Sequence, residues 1–165
     1  MIAEDLGHVT PADIRLRDTF GLAPMRILQF GFGAEADSTD HLPHNYSRLC
    51  AAYTGNHDHN TIVGWFNELR AARRKQVLDY LGGNFDGIHG HTLRAVMASP
   101  ANVALFPMQD VLGLERARMN VPGTTEGNWN WRLPAMNPAS IARRLRQLTN
   151  AFGRNGIAEA RGAKK

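Results

Sequence analysis

The sequence predicts an α/β fold with parallel strands, and three observations predict it. Short apolar runs of strand character alternate with stretches of helical periodicity, the order that strand–helix units produce. Four such runs can be placed, near residues 2, 27, 51 and 104. Three of them are followed at once by polar clusters, Glu4-Asp5, His57-Asp58 and Gln109-Asp110. In parallel α/β architectures the carboxyl ends of strands are where sites are built, because loops there vary without disturbing the core.

Each element has its own signal. Ile2-Ala3 runs straight into the first acidic pair. Thr10-Pro11 then supplies a cap with proline at the first helical position and Asp13 in the first turn, so a helix runs to Phe20 and stops at Gly21. Met25 to Phe30 is an apolar run bounded by Pro24 and Gly31, which reads as a buried strand. Residues 31–47 are loop-like, and Arg48 to Thr54 reads as the next strand, ending in the polar stretch Gly55 to Asn60. Val63, Phe66 and Leu69 share a helical face, followed by Val77, Leu78 and Leu81 and then by Leu93 to Met97. Val103 to Phe106 before Pro107 is the last strand. A glycine- and asparagine-rich loop covers 113–137, and Ser140 to Phe152 forms an amphipathic closing helix.

Composition bounds the function classes. At 165 residues, 43% hydrophobic and 21% charged, the chain can bury one core and matches ordinary globular proteins. No run approaches the roughly 18 apolar residues of a membrane helix, and the first residues lack a signal peptide's pattern, so no membrane partner is expected. The lone Cys50 excludes an internal disulfide and fits a reducing, cytoplasmic setting. Net charge is +4, but the segment from Ser140 onward holds seven basic residues against Glu159 alone. The rest of the chain is therefore acidic, and a nucleic-acid partner is not expected from a solvated C-terminal helix face.

Three groups of residues could carry chemistry. A carboxylic acid after one strand and a carboxylate after another suit glycosidic chemistry, in which a leaving oxygen is protonated and positive charge on a sugar ring is stabilised; each acid taken singly also fits a cap or a surface loop. Seven histidines are present, with His41, His44, His57 and His59 on loops. Their spacing matches no closed zinc pattern, so no metal and no cofactor are expected, and the loop histidines read as surface or sugar-facing groups. Trp129 and Trp131 lie in the glycine-rich loop, where each either packs beneath it or forms a platform, with core packing expected for at least one.

Six blocks then stand in order: Ile2-Ala3-Glu4-Asp5-Leu6-Gly7, Leu42-Pro43-His44-Asn45-Tyr46, Tyr53-Thr54-Gly55-Asn56-His57-Asp58, Phe106-Pro107-Met108-Gln109-Asp110-Val111-Leu112, Arg118-Met119-Asn120-Val121-Pro122-Gly123 and Gly127-Asn128-Trp129-Asn130-Trp131-Arg132-Leu133. Together they resemble amylomaltase, the 4-α-glucanotransferase family, over nearly all of Ile2 to Phe152. The resemblance implies a (β/α)8 barrel and a retaining transfer of α-1,4-glucan segments between maltooligosaccharides. It implies Glu4 as the acid/base, Asp58 as the stabiliser of the transition state and His57 as its substrate-contacting neighbour. Asn120 is implied in the loop lining the donor cleft, with Phe30 and Asp110 as further substrate-binding positions. The family commonly shows Thr-His-Asp-Asn-Asp where this chain has Asn56-His57-Asp58-His59-Asn60, so the flanks differ while the His-Asp pair stays.

By the same resemblance, the nucleophile and the first four barrel strands would lie upstream of Ile2, with Met1 at an internal position, as in a truncated reading frame or a split gene. Residues 1–152 are then a partial catalytic barrel, its strands 5–8 with helical insertions, and 153–165 a basic, flexible tail. A half-barrel has two open edges and an apolar inner face, with Met25, Leu28, Val103, Leu105 and Phe106 exposed to aggregation. Such a chain is expected to join its missing half, to self-associate or to be marginally stable. The alternatives are a remnant that binds α-glucan without turnover and a basic nucleic-acid-binding protein.

Overall fold

The computed structural model describes residues 1–83 and 87–155. The chain divides into two compact units, Met1–Pro134 and Ala135–Lys165. The first holds a parallel sheet of four strands, β1 (Ile2–Ala3), β2 (Ala23–Ile27), β3 (Ala51–Tyr53) and β4 (Val103–Leu105), side by side in chain order. Registers are Ala3 opposite Pro24, Ile27 opposite Tyr53 and Tyr53 opposite Leu105. The helices are α1 (Pro11–Thr19), α2 (Ile62–Glu68), α3 (Ala71–Leu81), α4 (Ile88–Ala98) and α5 (Met108–Leu112). In the second unit, α6 (Pro138–Ala151) begins at Asn137, whose side chain accepts from Ala139 N. The expected basic tail lies outside the described residues from 156 onward.

Local chemistry explains these boundaries. At α1, Thr10 accepts from Asp13 N, and the Asp13 carboxylate takes the Thr10 N–H at 2.9 Å, a reciprocal cap with Pro11 at the first turn. At α2, Thr61 Oγ1 accepts from Gly64 N and also donates to Glu115 O. α5 ends at Gly113, which has φ +68 and lies so close to His89 that a Cβ would sit 2.9 Å from its ring. Only glycine meets both demands.

The core forms where α2, α3 and α4 cover one side of the sheet. Ile62 and Phe66 of α2, Val77 of α3 and Ile88 and Val96 of α4 pack with Ala52 of β3, and Leu28 and Phe32 join them. This placement corrects two expectations. β2 ends at Ile27, and Leu28–Phe32 coils into a 3-10 turn that carries Leu28 and Phe32 into the helix layer. Leu28 and Met25 are buried as a result, so they are not surface liabilities. The exposure expected at the edge holds for Val103 and Leu105, 38% and 39% accessible on the outermost strand, while Phe106 packs partly against the core. β1 pairs only with β2 and β4 only with β3 among the described residues. No helix among them is long and apolar enough to cross a membrane.

Candidate active site

Because all four strands run parallel in chain order, their carboxyl ends share one edge of the sheet. Glu4 follows β1, Gln29 and Phe30 follow β2, residues 55–60 follow β3, and Gln109 and Asp110 follow β4. Neighbouring side chains after β1 take opposite tasks. Asp5 turns inward, accepting from Met25 N at 2.8 Å and pairing with Arg17 at 2.6 Å. Glu4 turns outward, exposed, and makes no hydrogen bond or ion pair among the described residues. Its charge reaches Tyr53 at the end of β3, where burial first and then Glu4 hold the phenol above its ordinary pKa.

The loop after β3 is a built turn. Asn56 Oδ1 accepts from Asp58 N at 2.9 Å and lies 2.6 Å from His59 Nδ1. This Asx turn stands Asp58 up from the sheet. Gln29 braces the loop from below, donating to Asn60 O at 2.8 Å and lying so near Gly55 that a Cβ there would meet its amide at 2.7 Å.

Asp58 is then clamped from the long loop. Asn120 Nδ2 donates to Asp58 Oδ1 at 2.6 Å, and Asn120 N donates to His57 O. Arg118 donates from Nη2 to Asp58 O and from Nε to Asn120 O. Oδ2 takes no hydrogen bond among the described residues and lies 3.4 Å from His57 Nε2, with the side chain 35% accessible. One oxygen is thus fixed and the other left to accept, which suits a carboxylate that meets hydroxyls or developing positive charge. Beside it lies a cavity of about 320 Å³ lined by Tyr53, His57, His59, Leu105, Gln109 and Arg118 among others. His59 is mostly buried, and its pKa is pushed down to about 4, chiefly by that burial. Its imidazole is therefore neutral near pH 7.

His57, Asp58 and Asn120 come together in one cluster. Phe30 joins it through His59, edge-on at 4.7 Å, with 39% of its surface open. Asp110 lines the cavity from beneath and is 1% accessible. Thr54 Oγ1 donates to its Oδ2 at 2.5 Å and Ile62 N to its Oδ1 at 2.8 Å. Both oxygens serve protein donors, so Asp110 ties β3 to α2 at the floor of the cavity. His41 is no surface or sugar-facing group; it is buried, with Nδ1 accepting from Ile27 N.

The two loop tryptophans also depart from expectation, since neither is buried. Trp131 is half-buried, and Trp129 is 55% accessible with its ring 5.1 Å from that of His57. Arg118 and Asn56 stand within the sequence motifs, and the structure gives each of them a positioning role. The Asn-x-Asp spacing signals the turn, whereas the Arg118 clamp spans 60 positions and has no local signature. Among the described residues no three His, Cys, Asp or Glu side chains come together in a group that could hold a metal ion.

Three comparisons bear on this site. The family model described as 4-alpha-glucanotransferase, glycoside hydrolase family 77, matches residues 1–137. The chloroplastic/amyloplastic 4-alpha-glucanotransferase of Arabidopsis thaliana is 41% identical over 160 residues, covering 93% of this chain and 28% of the relative. The 4-alpha-glucanotransferase of a Synechocystis strain is 42% identical over 158 residues, covering 93% and 31%. The chain thus spans about a third or less of the length of these relatives. In structure it is similar to the amylomaltase from Streptococcus agalactiae in complex with acarbose, with a TM-score of 0.85 at 32% identity, over 93% of this chain and 32% of that one. The amylomaltase from Corynebacterium glutamicum shares the fold, with a TM-score of 0.64 at 18% identity over 94% of this chain and 29% of that one.

Proposed function

From its place in the 4-alpha-glucanotransferase family, glycoside hydrolase family 77, to which this chain belongs, we propose that it supplies the acid/base and charge-stabilising part of a retaining transferase acting on α-1,4-glucans. Its four strands take the positions of the last four in an eight-stranded barrel. The clamped Asp58 carboxylate, open at Oδ2 beside His57 at the carboxyl ends of the strands, carries this reading.

Glu4, exposed and without a partner among the described residues, protonates the leaving glycosidic oxygen. It then takes the proton from the acceptor 4-hydroxyl as the new bond forms. Asp58 binds ring hydroxyls and gains strength as positive charge develops, the differential binding that lowers a barrier. The nucleophile, which a retaining mechanism places about 5–5.5 Å from the acid across the scissile bond, belongs to the part of the relatives that this chain does not span. The single cysteine of the chain, Cys50, buried in the core, supports a reducing, cytoplasmic setting.

The test is maltotriose disproportionation by this chain alone and mixed with the remaining segment of the Synechocystis relative. Glucose and longer maltooligosaccharides are expected from the mixture only. Glu4→Gln is expected to lower the rate by roughly 10²–10⁴-fold, with Asp58→Asn also strongly impaired. Turnover that survives Glu4→Gln overturns the assignment. A second reading, glucan binding without turnover, needs only the Asp58 cluster and the cavity beside it. It expects no products from the mixture and a maltooligosaccharide affinity that high salt leaves in place, unlike phosphate binding.

A further inference from the structure

Among the described residues one non-glycine residue has a left-handed backbone, Trp129 at φ 62. An L side chain is crowded there, and glycine or asparagine is what such positions ordinarily hold. The conformation is imposed by three ties. Trp129 N donates to Met119 O at 2.7 Å, Arg132 Nη1 donates to Trp129 O at 2.8 Å, and Asn128 Oδ1 accepts from Val121 N at 2.9 Å to close the loop before it.

Core burial, the usual reason for a tryptophan, does not hold it, since more than half of the residue is open. What the backbone does achieve is placement. The indole leans over the His57 ring at 36°, and His57 in turn touches the Asp58 carboxylate. Strain kept at an exposed aromatic beside a His–Asp pair points to a use for the ring itself.

We propose that the open face of Trp129 is a stacking platform for one glucose residue of an α-glucan chain, seated where His57 and Asp58 meet its hydroxyls. This rests on the glucan reading above and assigns its apolar half. A pyranose ring offers a C–H face with hydroxyls around the rim. An indole beside an imidazole and a carboxylate complements both parts.

The test is a ¹H–¹⁵N NMR titration of the whole chain with maltoheptaose, the Trp129 indole Nε1–H being assigned by its loss in Trp129→Phe. That resonance is expected to move in step with the His57 and Asp58 amides. Trp129→Gly suits the backbone, so it should melt no lower than the parent yet bind maltoheptaose roughly three- to tenfold more weakly. Trp129→Phe should keep most of the affinity. His57 and Asp58 amides that shift while the indole stays still overturn the platform and leave the glucan reading standing, as does equal affinity in Trp129→Gly. A titration in which nothing moves overturns both. An indole shift that follows protein concentration instead of glucan replaces the platform with a self-contact.

Discussion

Asp58 and Asp110 are both aspartates that follow a strand, yet their surroundings give them opposite work. Asp58 keeps an accessible oxygen, while Asp110 is sealed under the cavity, where burial raises its pKa against the pull of the Thr54 and Ile62 donors. Asp110→Ala would leave the Thr54 hydroxyl and the Ile62 N–H buried without an acceptor. An expected loss of about 2–4 kcal/mol follows, measured as a lower urea midpoint with no change in the slope. The sequence alone ranks these two acids together, because each follows a strand. What separates them is a pair of donors 56 and 48 positions away from Asp110, a distance at which no spacing rule operates. His41 was opaque for the same reason: its acceptor role depends on Ile27, fourteen residues back on a strand it does not belong to.

Helix starts were legible in the chain because caps are local. Thr10-Pro11 and its Asp13 predict the start of α1 to the residue, and the apolar spacing from Val63 onward locates α2. Strand ends were less so. An apolar run such as Met25 to Phe30 reads alike whether it stays extended or coils, and only the helix layer above it decides that Leu28 turns inward. At α2 the cap is shared: Thr61 takes the Gly64 N–H while Asp110 takes that of Ile62. Thr61→Ala should therefore lower stability by about 1 kcal/mol, visible in thermal melts. The change should also loosen the Glu115 carbonyl to which the Thr61 hydroxyl donates, seen as faster amide exchange around Asn67 and Glu115.

At the scale of the whole chain, two imidazoles, the buried His41 and the partly buried His59, tie stability to pH. Burial holds His59 down to about 4 and lowers His41 from its ordinary 6.5, with Arg26 adding to the second shift. The unfolded chain then binds more protons than the folded one between about 6.5 and those lower values. Stability is accordingly full above about 6.5 and falls as the pH drops through that window, while the raised Asp110 works in the opposite sense. Urea midpoints should decrease from about pH 7.5 to about pH 5, and His41→Gln, which still offers Ile27 an acceptor, should flatten the decrease. An unchanged midpoint would count against neutral, buried imidazoles. The sheet itself has a consequence in time. Each strand after β1 lies beside the one made just before it, so during synthesis it emerges from the ribosome to find one neighbour already present. Assembly can run from the amino end onward, one strand–helix unit at a time, each strand waiting for no partner beyond the next one in the chain.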